Sequence, residues 1–182
     1  SACTSAPLNM AYRADEFEFY LSDLMAKALI VAEGAATPAR EVAAKLGVRV
    51  FELRAMPGRG TGDFELLAQG VGATLAASSG PAQPDDVALI LHTSGTTSRP
   101  KIVPLTHRNV CASARNISRT LALTERDVEL HIMPLFHIHG LIAGVLAPLA
   151  VGRQIFVTPG FNALKFLAWM KECKPTWYTA LP

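Results

Sequence analysis

The residues from His92 to His107, HTSGTTSRPKIVPLTH, concentrate groups that bind anions. Gly95 lets the backbone approach an anion closely, and the surrounding hydroxyl and amide groups act as donors. Lys101 adds a positive charge beside Pro100, whose ring stiffens the segment. The donors expected around a phosphate group are Thr93, Ser94, Thr96, Thr97 and Ser98. This stretch is therefore a candidate phosphate-binding loop.

Two other interpretations compete for the same loop. Clusters of Ser, Thr and Gly are frequent in solvated loops, and the residues alone leave that interpretation open. The segment GTTSRPK, Gly95 to Lys101, also has the interval of the Walker A pattern GxxxxGK. Pro100 replaces its second glycine, and Ile102 stands where Ser or Thr would hold Mg²⁺. These two departures argue against a Walker A loop.

A second group of reactive side chains is the HIH triplet, residues 137–139, in MPLFHIHG. By itself, His137 fits either local packing at the end of a strand or a place in a ligand pocket. The two histidines are also of the type that binds transition metals, but no further His, Asp or Glu follows at ligand spacing. We therefore predict no metal site. Arg99 and Arg108 either face solvent or touch phosphate.

The composition excludes several classes of protein. Half of the 182 residues are hydrophobic, which is enough for a core of ordinary domain size. The 17 basic and 15 acidic residues are scattered, so no basic stripe for nucleic acid is present. No apolar run approaches the roughly 18 residues of a membrane span. Three cysteines without a CxxC pair fit a reducing compartment, and we expect a cytoplasmic location, with a peroxisomal one left open.

Alternating helix and strand patterns surround the candidate loop. Residues 1–56 contain two units of helix followed by strand, the second opening with Thr37 as a cap. Residues 57–84 are predicted to be a surface connection with one helical patch, DFELLAQG. In residues 85–182 the strand DDVALILHT leads through the loop into a helix capped by Thr106, and HIHGLIAGVLAPLAVG is predicted to be a helix. The alternation predicts an α/β fold, with a mostly parallel sheet and helices on both faces.

Several segments resemble the adenylate-forming superfamily, which includes the acyl-CoA synthetases. TSGTTSRPK is similar to its phosphate-binding signature, TSG[ST]TGxPKG, with departures at Ser98 and Ile102, each standing where glycine is usual. The form TTSRPK resembles the oxalate-CoA ligase branch. APLNMAYRADEFEFYLSD, MPLFHIHG and PTWYTALP resemble further segments of the superfamily. The resemblance covers nearly the whole chain and implies that residues 1–182 are an internal part of the large N-terminal domain, without the C-terminal domain.

The resemblance implies a ligase that uses ATP, Mg²⁺ and CoA. A carboxylate would attack the α-phosphate of ATP, release pyrophosphate, and pass its acyl group to the thiol of CoA. Thr93 through Lys101 would contact the β- and γ-phosphates, and Lys101 would be the charged contact. His137 would line the acyl pocket beside the forming adenylate. The implied substrate is a small carboxylic or dicarboxylic acid such as oxalate.

Two alternatives to the ligase stay open at this point. One is an adenylation domain that serves a carrier protein instead of free CoA. The other is a non-catalytic nucleotide-binding piece, and we expect the 182 residues in isolation to form no adenylate. The sequence predicts no oligomeric state.

Overall fold

The computed structural model describes residues 3–60, 62–68, 80–93 and 100–181. The chain divides into two compact units. The first unit is Leu8–Ser78, and the second unit is Ser79–Pro182 together with Ser1–Pro7. One boundary between the units, Ser78/Ser79, falls within the predicted connection 57–84, and the other falls between Pro7 and Leu8.

The first unit packs two helices against a three-stranded sheet. Its elements are α1 (Ala14–Asp23), β1 (Ala28–Ala32), α2 (Ala39–Lys45), β2 (Arg49–Ala55) and β3 (Phe64–Ala68). Strand β2 lies in the centre, parallel to β1 and antiparallel to β3. The predicted start of α2 is confirmed, because Thr37 Oγ1 accepts a hydrogen bond from Ala39 N at 3.3 Å. The core of this unit is formed by Phe17, Leu21, Ala39, Val42 and Ala43.

Strand β3 corrects the prediction of a helical patch in DFELLAQG. Residues 64–68 form an edge strand that pairs with β2 from Phe51↔Ala68 to Ala55↔Phe64. The pairing begins at the turn, where Met56 N donates to Asp63 O at 2.9 Å. So short a segment is below the roughly 12 residues that an isolated helix needs, and β2 satisfies its backbone groups. Part of the predicted connection is therefore ordered sheet.

The second unit contains two sheets and the helices that pack on them. Its elements are β4 (Val87–Thr93), β5 (Lys101–Thr106), α3 (His107–Thr120), β6 (Val128–His131), a π-helical segment (His139–Leu146), α4 (Ala147–Ala150), β7 (Gln154–Val157), α5 (Ala163–Cys173) and β8 (Trp177–Tyr178). One sheet is the antiparallel pair β4–β5, extended by a bridge between Ser5 and Leu89. The other is parallel, in the order β7-β6-β8. The predicted α/β class is confirmed, and its sheets are of mixed direction.

Strand β5 corrects the predicted order of strand, loop and helix. The loop after Thr93 joins two antiparallel strands, and α3 begins only after β5. The strand forms because Val103 and Leu105 turn inward while Ile102 and Pro104 are exposed, which gives the period of two that a strand requires. Six residues of strand place the start of α3 about 17 Å from the loop. The positive end of the α3 dipole therefore does not face the candidate phosphate site.

The segment after His137 is helical, as predicted, but part of it is wider than an α-helix. Residues 139–146 are π-helical, and Ala147 N donates to Ile142 O, five residues earlier. Pro148 follows at the start of α4. Proline has no N–H to donate and its ring crowds the preceding turn, which disfavours the regular α-helical ladder at this point. The change of helix type lies next to the residues of the MPLFHIHG motif.

The predicted cap of α3 yields a first test. Thr106 Oγ1 accepts from Asn109 N at 3.2 Å, and Asn109 Oδ1 accepts from Thr106 N at 3.0 Å. We expect Thr106→Ala to lower the free energy of unfolding by about 1 kcal/mol, because the backbone N–H of Asn109 loses its acceptor. Thr106→Ser keeps the hydroxyl and is the control. Urea titration of both variants checks this, and equal losses would show that the cap contributes nothing.

Candidate functional site

The candidate phosphate loop connects the antiparallel strands β4 and β5. Thr93, the last residue of β4, pairs directly with Lys101, the first residue of β5. Both side chains are exposed. The predicted donors Ser94, Gly95, Thr96, Thr97 and Ser98 lie outside the described residues, as does Arg99. The hairpin therefore brings together the hydroxyl and the lysine that begin and end the loop.

Arg108 lies at the other end of this hairpin and forms an ion pair with Asp85. Its Nε is 2.9 Å from Asp85 Oδ1 and its Nη2 is 3.1 Å from Asp85 Oδ2. These two parallel hydrogen bonds lower the pKa of the Asp85 carboxyl. Of the two roles open to Arg108, contact with phosphate at the loop is disfavoured, because its guanidinium is engaged at the start of α3.

His137 lies on a tight turn before the π-helical segment. Its N–H donates to Pro134 O at 3.3 Å, and its carbonyl accepts from Leu141 N at 3.0 Å. A Cβ atom at Gly140 would collide with Pro134 O, so glycine is required there. The turn leaves the His137 side chain exposed, with its ring centroid 5.2 Å from that of Phe136. His137 is thus positioned by the backbone and is accessible to a ligand.

A cavity lies beside the second histidine of the triplet. Its volume is about 430 Å³, and His139 and Thr179 are among its lining residues. The two side chains share a hydrogen bond between His139 Nε2 and Thr179 Oγ1. The remaining lining residues are Asn116, Ile117, Thr120, Leu121, Ala143 and Trp177. The sequence had given His139 no role beyond the rejected metal pair, although its place in HIH was a signal.

Three ionisable side chains are buried beneath the π-helical segment. Glu129 is 0% exposed, His131 is 2% exposed and Arg153 is 4% exposed. Glu129 and His131 are two residues apart on β6 and so lie on the same face of the sheet. The Cβ of an alanine at Gly144 would lie 2.5 Å from His131 Nδ1 and 3.8 Å from Glu129 Oε1. Charged residues inside the strand VELHIM were the signal that the sequence analysis missed.

The electrostatics of this cluster are set mainly by burial. Arg153 Nη2 is 3.9 Å from Glu129 Oε2, a distance too long for a hydrogen bond. Burial raises the pKa of Glu129 to about 8, and the Arg153 charge acts in the opposite direction. Burial also lowers the pKa of His131, which favours a neutral imidazole at pH 7.

Other kinds of site find little support in the described part of the chain. Residues 3–60, 62–68, 80–93 and 100–181 contain no group of three or more His, Cys, Asp or Glu side chains that could hold a metal ion. No helix within these ranges is long and apolar enough to cross a bilayer. Cys3, Cys111 and Cys173 form no disulfide, and burial raises the pKa of Cys173, which disfavours a reactive thiolate.

Comparison with known proteins identifies relatives over the whole chain. The family model described as AMP-binding enzyme matches residues 2–182. Oxalate–CoA ligase of Arabidopsis thaliana is 44% identical over 182 residues, covering 98% of this chain and 35% of the relative. Oxalate–CoA ligase of Saccharomyces cerevisiae is 34% identical over 197 residues, covering 97% of this chain and 36% of the relative. The chain spans about a third of the length of these relatives.

Solved structures have the same fold. ATP-bound MatB from Rhodopseudomonas palustris is 28% identical, with a TM-score of 0.71, and the match covers 93% of this chain and 33% of MatB. The long-chain-fatty-acid-CoA ligase FadD1 from Archaeoglobus fulgidus is 30% identical, with a TM-score of 0.75, covering 97% of this chain and 34% of FadD1. The predicted resemblance is confirmed: the chain belongs to the AMP-binding family of adenylate-forming enzymes.

Proposed function

We propose that the chain is part of an ATP-dependent acyl-CoA ligase that acts on a small carboxylic or dicarboxylic acid. One observation carries the proposal: the signature TSGTTSRPK occupies a hairpin whose ends are Thr93 and Lys101, in a chain that matches the family from residue 2 to residue 182. The relatives described as oxalate–CoA ligases support a short acid as the substrate.

The hairpin is suited to hold a triphosphate. A carboxylate and a phosphate repel one another, so adenylation requires that negative charge on ATP be neutralised and held in place. Lys101 is exposed at the end of the loop and supplies a positive charge, and Thr93 supplies a hydroxyl donor across the hairpin. Mg²⁺ would be carried by the phosphate oxygens of ATP, which are the hard ligands that it prefers.

The HIH triplet, residues 137–139, is suited to hold the acid. His137 is exposed on its turn, and the neighbouring His139 opens onto a cavity of about 430 Å³. His139, Thr179 and Asn116 contribute polar atoms to a lining that is otherwise largely apolar. We propose that His137 donates to the substrate carboxylate and that the rest of a small acid enters the cavity. Transfer to CoA, and the parts of the enzyme that carry it out, belong to the full-length protein.

The proposed function is tested by two measurements on the full-length protein. The first is pyrophosphate release from ATP in the presence of oxalate, malonate or acetate. The second is formation of an acyl thioester with free CoA, compared with a holo-carrier protein. We expect acid-dependent pyrophosphate release and thioester formation with free CoA. Absence of both with every acid would refute a ligase, and activity with the carrier protein alone would indicate a carrier-dependent adenylation domain.

Lys101→Ala tests the phosphate contact. We expect kcat/KM for ATP to fall about tenfold or more, because a charged hydrogen bond to phosphate is worth roughly 1.5–3 kcal/mol. The fold should be unaffected, since the Lys101 side chain is exposed. Steady-state kinetics with varied ATP measure the effect. Lys165→Ala removes an exposed lysine from α5 and is the matched control; equal losses in both variants would argue against a role for Lys101.

A further inference from the structure

One face of the β7-β6-β8 sheet carries an arrangement that the proposed function leaves unexplained. Glu129 on β6 pairs in register with Trp177 on β8 and with Ile155 on β7. Arg153 is the residue immediately before β7. Its guanidinium carbon lies 4.8 Å from the centroid of the Trp177 ring. Arg153 therefore reaches past Glu129, from one outer strand of this sheet to the other.

Stability alone does not explain this pair of ionisable side chains. Both side chains are 0% exposed, and neither Glu129 nor Arg153 has a hydrogen bond from its charged atoms within the described residues. Burying a guanidinium and a carboxyl group without hydrogen bonds is costly, and apolar residues of similar volume often serve a core equally well. What the pair does provide is a flat cationic surface at a fixed place on the Trp177 ring.

Trp177 needs such support because β8 is short. The strand has two residues and pairs only with β6 among the described residues. Thr176 holds the start of β8 in place. The Thr176 hydroxyl donates to Asp127 Oδ1 at 2.8 Å and accepts from Val128 N at 3.0 Å. Beyond that point, the orientation of the indole ring depends on what packs against it. Arg153 is the charged group that does so.

Trp177 is also a wall of the cavity beside His139. Thr179, two residues further along, lines the same cavity and is hydrogen-bonded to His139. A displacement of the Trp177 ring would therefore change the shape of the cavity without altering the phosphate hairpin. The effect of such a displacement would fall on the acid rather than on ATP.

We propose that Glu129 and Arg153 are positioning residues that fix Trp177 as a wall of the acid-binding cavity. Neither residue lines the cavity, so both act through Trp177. Glu129 holds the guanidinium in place, and Arg153 holds the indole. The inference rests on the proposed function in one respect, namely that this cavity receives the carboxylic acid.

The test uses Arg153→Lys in the full-length protein labelled with 5-fluorotryptophan. Lysine keeps the charge beside Glu129 but loses the planar face that stacks on the ring. The ¹⁹F resonance of Trp177 is assigned by its loss in Trp177→Phe. Sodium oxalate and sodium malonate are titrated with α,β-methylene-ATP present. In the wild type we expect the acid to shift this resonance. In Arg153→Lys we expect a displaced resonance and an apparent Kd for the acid raised about tenfold.

Kinetics provide a second readout that a purely structural role would not produce. We expect KM for the acid to rise about tenfold in Arg153→Lys, while kcat and KM for ATP change by less than about twofold. Arg126→Lys changes an exposed arginine in the turn before β6 and is the matched control, with no change expected. Should Arg153→Lys fail to fold, Glu129→Leu/Arg153→Met removes both ionisable groups together and should give the same shift of the resonance and the same rise in KM.

The outcomes separate the inference from the proposed function. An unshifted Trp177 resonance in the variants, or a shifted one with unchanged affinity for the acid, would overturn the positioning role. A wild-type resonance that does not respond to either acid would overturn the assignment of the cavity. If the wild type releases no pyrophosphate in response to an acid, the proposal of a ligase is refuted. The binding titration would still decide the role of Arg153.

Discussion

Gly144→Ala should lower the free energy of unfolding of the full-length protein by about 3 kcal/mol, although it adds only one methyl group. The new Cβ would lie 2.5 Å from His131 Nδ1 and 2.7 Å from His131 Cε1. Atoms at such distances overlap, so either the imidazole or the π-helical segment must move. His131 is 2% exposed and is enclosed between β6 and this segment, so neither can move without loss of packing.

A double-mutant cycle isolates this contact. His131→Ala removes the ring that the new methyl group would strike, so Gly144→Ala/His131→Ala should be more stable than the sum of the two single losses predicts. Gly80→Ala is the matched control, because a Cβ atom at Gly80 meets nothing within 4 Å and its loss should be near zero. Urea titration measures all four variants. Additive losses would show that His131 does not limit the size of residue 144.

Local signals explain why several parts of the fold were predictable. A helix cap depends on a few neighbouring residues, and both Thr106 and Asn162 cap the helices that follow them. Gly47 has φ +67°, as expected of the residue that ends α2. The candidate loop was visible for the same reason, since its residues are contiguous in TSGTTSRPK.

Pairing between distant strands explains what was missed. KIVPLT and FELLA become strands because β4 and β2 supply hydrogen-bond partners, and no short window of sequence contains those partners. Pro104 is tolerated in β5 because, among the described residues, this strand pairs with β4 alone and is an edge strand.

The charges in VELHIM were visible in the sequence, but the arrangement of the buried cluster could not be predicted from it, for a related reason. Glu129, Arg153 and Trp177 are separated by more than twenty residues at each step, and only the register of β7, β6 and β8 brings them to one face. His139 was visible but gained its place from Thr179, forty residues away. Contiguous motifs thus indicated the phosphate loop, whereas the wall of the acid cavity had to be found in three dimensions.

Between pH 4.5 and pH 8, Glu129 should remove about 4 kcal/mol from the free energy of unfolding as the pH rises. Burial raises the pKa of its carboxyl from 4.5 to about 8 in the folded protein. In this range the folded protein holds a proton that the unfolded chain has released. The contribution is therefore fully present below pH 4.5 and is lost as the pH rises through about 8.

The cleanest window for this measurement is pH 6.5 to 8, where the loss should be about 2 kcal/mol. The pKa of the neighbouring His131 is lowered from 6.5 in the folded protein. Its contribution to the free energy of unfolding is therefore lost as the pH falls below 6.5, which is the opposite direction to that of Glu129. Arg153 keeps its charge, and Asp127 titrates well below the window. Glu129→Gln cannot ionise, so it should lie about 3 kcal/mol above the wild type at pH 6.5 and stay level to pH 8. Glu125→Gln changes an exposed residue and should keep the slope. A flat wild-type profile in urea titrations would mean that Glu129 is ionised at neutral pH and that attraction to Arg153 outweighs the effect of burial.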